Sequence, residues 1–268
     1  MTAGTFLTSD GVRLAFEVAG AGPPVLWQHG LGATSAQPAE VFPPAAPCQR
    51  ITLICRGHCG SDLGDPARLT IAQFAEDALA LLDHLGIERA ALGGISLGAT
   101  LALRLAVLHP ERATALILAR PAWVDQAGPE TMQAYVEVAR LLASHGAVGR
   151  ALFQSGATCR ALSLASPDNA ASLVSFFERP QPETTIALLS SIPLDGPGVS
   201  LNQIKALTLP TLVLVTGDDH VHPIAYGERL AALIPGAHLI RLTPKGRDKA
   251  AHVAEFRASL LAFLEAIP

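Results

Sequence analysis

The chain has 268 residues, enough for one α/β domain with an insertion and for a core that needs neither disulfides nor metal. Charged residues are only 16 % of it and the net charge is −4, which excludes a basic surface for nucleic acid. No apolar run reaches the roughly 18 residues of a membrane span, and no leader pattern opens the chain. The cysteines (Cys48, Cys55, Cys59, Cys159) lack framework or zinc spacing, so a soluble cytoplasmic protein with reduced thiols is expected.

Thr5–Thr8 and Val12–Val18 alternate in polarity around Ser9-Asp10-Gly11, whose Asp-Gly pair signals a hairpin. Pro24–Gln28 and Arg50–Cys55 are short apolar runs that end in glycine loops, as buried parallel strands do. From Thr70 to Leu85 the apolar positions recur at three and four residue steps. The spacing predicts a helix, with Thr70 as its N-cap and Gly86 as its stop. A strand at Arg89–Ile95, a helix at Leu97–His109 stopped by Pro110 and a strand at Thr114–Ala119 continue the rhythm.

The rhythm breaks between about Pro121 and Thr208. Prolines punctuate that stretch, and its patterns predict helices at Glu130–Ser144, Val148–Leu164, Asn169–Phe177 and Glu183–Ser191. Strand and helix then alternate again through Pro210–Thr216, Ile224–Leu233, His238–Leu242 and Ala250–Ala266. The expected fold class is α/β: a mostly parallel central sheet with helices on both faces, formed by residues 1–120 and 209–268. Residues 121–208 form an inserted helical cap.

Gly94-Ile95-Ser96-Leu97-Gly98 reads G-x-S-x-G with a predicted strand before it and a predicted helix after it. Such a turn lifts the serine oxygen above the sheet, and the flanking glycines let the chain double back. With this motif stand His29-Gly30-Leu31-Gly32 after the third strand and Ile54-Cys55-Arg56-Gly57-His58-Cys59-Gly60-Ser61 after the fourth. On these three motifs the chain resembles the α/β-hydrolase family over nearly its whole length. It departs at Ile54, where the family usually has Asp, and at Cys59, where it has Gly.

The resemblance implies Ser96 as nucleophile and the backbone N–H groups of Leu31 and Leu97 as an oxyanion hole. The family order of serine, acid, histidine directs attention to Gly217-Asp218-Asp219-His220-Val221-His222-Pro223. Asp219, four residues before Pro223, fits the usual acid position, with Asp218 and Asp125 as alternatives. Where the family carries Gly-His after the last strand, this chain has Gly246-Arg247, and arginine does not deprotonate. His252, alone among the histidines in following that strand, is the expected base, with His222 and His220 as substitutes. Asp218, Asp219, His220 and His222 also resemble a metal-ligand tract, but no second cluster completes it.

These residues point to acyl transfer to water through an acyl-enzyme on Ser96, without cofactor or metal. The resemblance implies a small carboxylic ester or lactone as the substrate. The same residues also serve for thioesters, peracid formation or carbon–carbon cleavage, while a serine nucleophile argues against epoxide hydrolases and haloalkane dehalogenases. A relative that binds a ligand without turnover is the reading from another class. His29, Trp123, Tyr135, Phe153, Phe176 and Phe177 are candidates to line the substrate pocket. The expected partner is a small molecule, with no nucleic acid or membrane and with a homodimer left open.

Overall fold

A computed structural model describes residues 1–267. Strands β1 (Thr2–Leu7) and β2 (Arg13–Gly20) form the antiparallel hairpin expected at Asp10-Gly11. β3 (Pro24–Gln28), α1 (Ala36–Val41), β4 (Gln49–Leu53), α2 (Ile71–His84), β5 (Ala90–Ile95), α3 (Leu97–Leu108) and β6 (Ala113–Ala119) follow. Thr70 caps α2 as its side chain accepts the Gln73 N–H, and Gly86 beyond the helix end has φ +69°.

Between β6 and the next strand lie α4 (Gln133–His145), α5 (Gly149–Ser155), α6 (Ala157–Ala165), α7 (Pro167–Ser175), α8 (Pro182–Ser191) and α9 (Leu201–Lys205). The single helix predicted over Val148–Leu164 is in fact two, because Gly156 adopts an extended backbone between them. β7 (Thr211–Thr216), α10 (Ile224–Leu233), β8 (His238–Leu242) and α11 (Lys249–Ala266) complete the chain. Among the described residues no helix is long and apolar enough to cross a membrane.

The eight strands run in the order β1-β2-β4-β3-β5-β6-β7-β8, and from β4 onward the neighbours are parallel. Alternate residues of the central strands feed two apolar clusters on opposite faces. Leu26, Leu92, Leu116 and Val213 pack on one side with Phe74 and Leu101. Val25, Trp27, Ile117 and Leu214 pack on the other with Phe256 and Leu260. This period of two with both sides apolar is what a parallel sheet under two helical layers requires. Strand order reverses between β3 and β5, so the loops leaving those strands diverge and open a crevice at their carboxyl ends.

Candidate active site

Ser96 stands between β5 and α3 with φ 58° and ψ −113°, a backbone conformation that costs free energy for a residue with a Cβ. The turn is held because the Ser96 N–H donates to the Ala119 carbonyl of β6 at 2.9 Å. It is also held by close packing: a Cβ on Gly98 would lie 2.4 Å from the Gln28 carbonyl oxygen. Ser96 keeps 8 % exposure. The N–H of Leu97, first residue of α3, has no protein acceptor among the described residues, as expected of a helix N-terminus.

The loop after β3 presents a matching donor. Gly30 N–H donates to Gln37 Oε1 at 2.7 Å, and Gly32 N–H donates to His58 Nε2 at 2.8 Å. The N–H of Leu31 between them has no protein acceptor among the described residues. Since His58 Nε2 accepts, its Nδ1 carries the proton and donates to the Arg56 carbonyl at 3.0 Å. His29 is used in the same way: Nε2 accepts the Cys55 N–H at 3.1 Å and Nδ1–H donates to the Gly30 carbonyl at 2.8 Å. Burial lowers the His29 pKa to about 4, and burial together with the neighbouring His29 lowers that of His58. Both imidazoles are neutral buttresses of the loop.

Arg56, wholly buried, anchors the second loop. Its Nε and Nη2 donate to Asp77 at 2.7 and 2.8 Å, and its Nη1 and Nη2 donate to Asp10 at 2.8 and 2.9 Å. The departures from the family pattern at Ile54 and Cys59 leave this network intact. Ser61 bridges it to β2, donating to the Ile54 carbonyl and accepting the Ala15 N–H.

Asp219 is the inward-facing carboxylate of the acid loop. Oδ1 accepts from His222 Nδ1 at 2.8 Å and from the His222 backbone N–H at 3.2 Å, while Oδ2 accepts from Arg120 Nε at 2.8 Å. Burial opposes its ionisation, but His222, Arg120 and their hydrogen bonds hold the carboxyl well below the usual range. Asp218, at φ +56°, turns outward and pairs with Arg247 at 2.7 Å. Asp125 faces Arg229 at 3.6 Å. The Gly246-Arg247 pair that stands in place of Gly-His therefore ties the β8–α11 loop to the rim of the acid loop.

His252 lies in the first turn of α11, buried, with Nδ1 donating to the Thr243 carbonyl at 2.8 Å. No hydrogen bond joins it to Asp219 or Ser96 among the described residues. The histidine that Asp219 holds is His222, which is 7 % exposed and whose Nε2 has no partner. His220 is exposed, and its backbone N–H donates to Ser166 Oγ at the α6–α7 junction. No metal-ligand group of three or more occurs among the described residues.

Of the candidate pocket residues, Phe176 packs on the glycine loop after β3 and Tyr135 packs on Phe176. Their rings meet edge to face at 5.7 Å, and Phe176 packs so closely on Gly32 (φ +71°) that a Cβ there would clash at 2.4 Å. Burial and the charge of Asp219 raise the Tyr135 pKa to about 12. Trp123 spends its N–H on the Asp195 carbonyl, and Phe153 packs beside Phe177 at 6.0 Å inside the helical insertion. Two arginines escaped the sequence reading. Arg120, the residue after β6 with φ +47°, reaches Asp219; Arg179 lies over the Phe176 ring at 4.1 Å and donates to the Gly32 carbonyl. Neither belongs to a local motif, because each finds its partner across the fold.

Comparison with known proteins bears on the family and the fold. Residues 23–249 match the model of the alpha/beta hydrolase fold family. The chain is 36 % identical over 115 residues to an uncharacterized protein of Mycobacterium tuberculosis, a match covering 42 % of this chain and 33 % of that protein. It thus aligns with about a third of that relative's length. It is 28 % identical over 246 residues to a 2-hydroxymuconate semialdehyde hydrolase of Pseudomonas putida, covering 88 % of this chain and 84 % of the relative. The crystal structure of a hydrolase from Pseudomonas aeruginosa superposes with a TM-score of 0.72 at 25 % identity, over 98 % of each chain. This chain belongs to the alpha/beta hydrolase fold family.

Proposed function

We propose that the protein is a serine hydrolase that cleaves a small carboxylic ester or lactone through an acyl-enzyme on Ser96. The observation that carries this reading is the positive-φ turn at Ser96 together with the N–H groups of Leu97, next in the chain, and Leu31, in the loop after β3, neither of which has a protein acceptor among the described residues. Attack of Ser96 Oγ on the carbonyl carbon puts negative charge on the carbonyl oxygen. Two preorganised donors stabilise that charge without reorganisation, and loss of one such donor costs about 3–4 kcal/mol elsewhere. An imidazole takes the hydroxyl proton, returns it to the departing oxygen, and then activates the water that releases the acid. Asp219 holds an imidazole for that work, and Phe176, backed by Tyr135, packs on the loop that carries Leu31.

A ligand-binding relative without turnover is the second reading, favoured by the ion pair of Arg120 with Asp219, which takes one carboxylate oxygen. Treatment with a fluorophosphonate, read by intact mass and peptide mapping, separates the two. The hydrolase reading expects one adduct on the Ser96 peptide, absent in Ser96→Ala, and turnover of short-chain nitrophenyl esters or lactones. A folded wild-type protein that takes no adduct overturns it in favour of ligand binding.

A further inference from the structure

We propose that the general base for Ser96 is His222, oriented by Asp219 within a single seven-residue loop, and that Arg120 positions that carboxylate. This rests on the serine-hydrolase reading. Strands β5, β6 and β7 are adjacent and parallel, and they end in Ser96, Arg120 and the loop that carries Asp219 and His222. Two backbone hydrogen bonds tie the three ends together: Ser96 N–H to the Ala119 carbonyl at 2.9 Å and Arg120 N–H to the Leu214 carbonyl at 2.7 Å. Neighbouring strands lie about 4.8 Å apart, so the ends of β5 and β7 are separated by about 10 Å. His222 lies six residues beyond the end of β7, in the loop that passes over these strand ends. Its Nε2 and the Ser96 hydroxyl share no hydrogen bond among the described residues, so the proposed proton transfer requires the two side chains to close on one another around the substrate.

The hydrogen bonding of His222 suits a base. Its Nδ1 lies 2.8 Å from Asp219 Oδ1 and 3.2 Å from Arg120 Nη2. The shorter contact to the carboxylate selects the tautomer with the proton on Nδ1, which leaves the lone pair on Nε2. That Nε2 is buried and has no hydrogen-bond partner among the described residues. A buried polar atom without a partner is costly, and it is rare unless a ligand or reacting group uses it. The charged and titratable groups around the ring are Asp219 from its own loop and Arg120 from the end of β6, with Tyr135 of α4 facing Asp219.

His252 differs in its orienting partner: its Nδ1 donates to the neutral Thr243 carbonyl, whereas that of His222 meets the Asp219 carboxylate, which stabilises the imidazolium that a base becomes. Arg120 and His222 together occupy both carboxylate oxygens. In the step itself, His222 Nε2 accepts the Ser96 hydroxyl proton as the Oγ–carbon bond forms. It gives that proton to the alkoxide leaving group as the carbon–oxygen bond of the ester breaks. A water proton then follows the same route in deacylation, so atoms and charge balance over the cycle.

The test is the rate of fluorophosphonate labelling at Ser96 in wild type, His222→Ala, His222→Gln and His252→Ala, with and without added imidazole. Folding of each variant is checked by its unfolding midpoint. The expected result is a loss of about 10²–10⁴-fold in both His222 variants, the range typical of a missing base. Imidazole should restore at least tenfold of that rate in His222→Ala, where space is left, and little in His222→Gln, where the amide fills it. A wild-type labelling rate in His222→Gln overturns the assignment, as does a loss with imidazole rescue confined to His252→Ala. Absence of labelling in wild type overturns the hydrolase reading itself.

Discussion

Replacing Arg56 by methionine removes the cation that neutralises Asp77 beneath the β4 loop. Asp77 is 2 % exposed, and of its neighbours only Gln73, donating at 2.9 Å, remains to satisfy it. Breaking a buried ion pair by removing one partner costs about 3–5 kcal/mol, because the other charge stays buried and uncompensated. Asp10 is affected less, since it is partly exposed and keeps Arg68 at 2.9 Å. For a chain of this size each kcal/mol lowers the unfolding midpoint by roughly 2–4 °C, so Arg56→Met should lose about 6–20 °C.

The same substitution should slow Ser96 labelling. The Arg56 carbonyl accepts from His58, and His58 in turn accepts the Gly32 N–H of the oxyanion loop. Adding Asp77→Leu removes the orphaned charge and should recover most of the lost stability, which urea denaturation of the two single variants and the double variant measures. A loss under about 1 kcal/mol in Arg56→Met would refute the reasoning. So would a double variant whose loss equals the sum of the two singles.

Two further outcomes follow from the site. The pKa of His29 falls from the ordinary 6.5 to about 4 in the folded protein, so below pH 6.5 the unfolded chain binds a proton that the native state refuses. Stability is therefore complete above pH 6.5 and is lost as pH falls toward 4. His29 alone accounts for about 3 kcal/mol across that window. His58, His222 and His252 shift in the same direction, whereas the lowered carboxyls Asp10 and Asp219 matter only below the ordinary carboxylate range. Urea unfolding at pH 7 and pH 5 should show the decline, and equal free energies at the two would rule out neutral buried imidazoles. Gly98→Ala drives a Cβ onto the Gln28 carbonyl, so the elbow must shift. We expect a loss of about 1–3 kcal/mol and at least tenfold slower labelling of Ser96, and wild-type behaviour in both assays would contradict the packing argument.

Much of the fold was legible in the sequence, because each element leaves a local trace. The β3, β8 and α10 boundaries fall at the residues predicted, where apolar runs and prolines mark them. The helices α1 and α9 were missed, since six and five residues are too few to display a period. The split at Gly156 was missed because glycine inside a helical pattern can stay helical, and only packing decides whether it does.

The turn at Ser96, the glycine loop after β3 and the loop of Asp218–Pro223 were legible as loops for the same reason: each lies within a few consecutive residues whose glycines and polar side chains answer to local geometry. The pairing of those loops was not. Arg120 and Asp219 are 99 residues apart in the chain and meet at 2.8 Å because β6 and β7 are neighbours in the sheet. Asp219 turns to His222 rather than His252 because Arg247 draws the β8–α11 loop onto Asp218 and the Thr243 carbonyl takes the His252 ring. By itself the sequence determined the α/β rhythm, the turn at Ser96 and the loop that carries Asp219, all set by interactions between near neighbours. The pairing of Asp219 with His222 is local, three residues along one loop. That it stands in place of a pairing with His252 was left to the tertiary structure, because the packing of the β8–α11 loop against the acid-bearing loop is encoded in no local pattern.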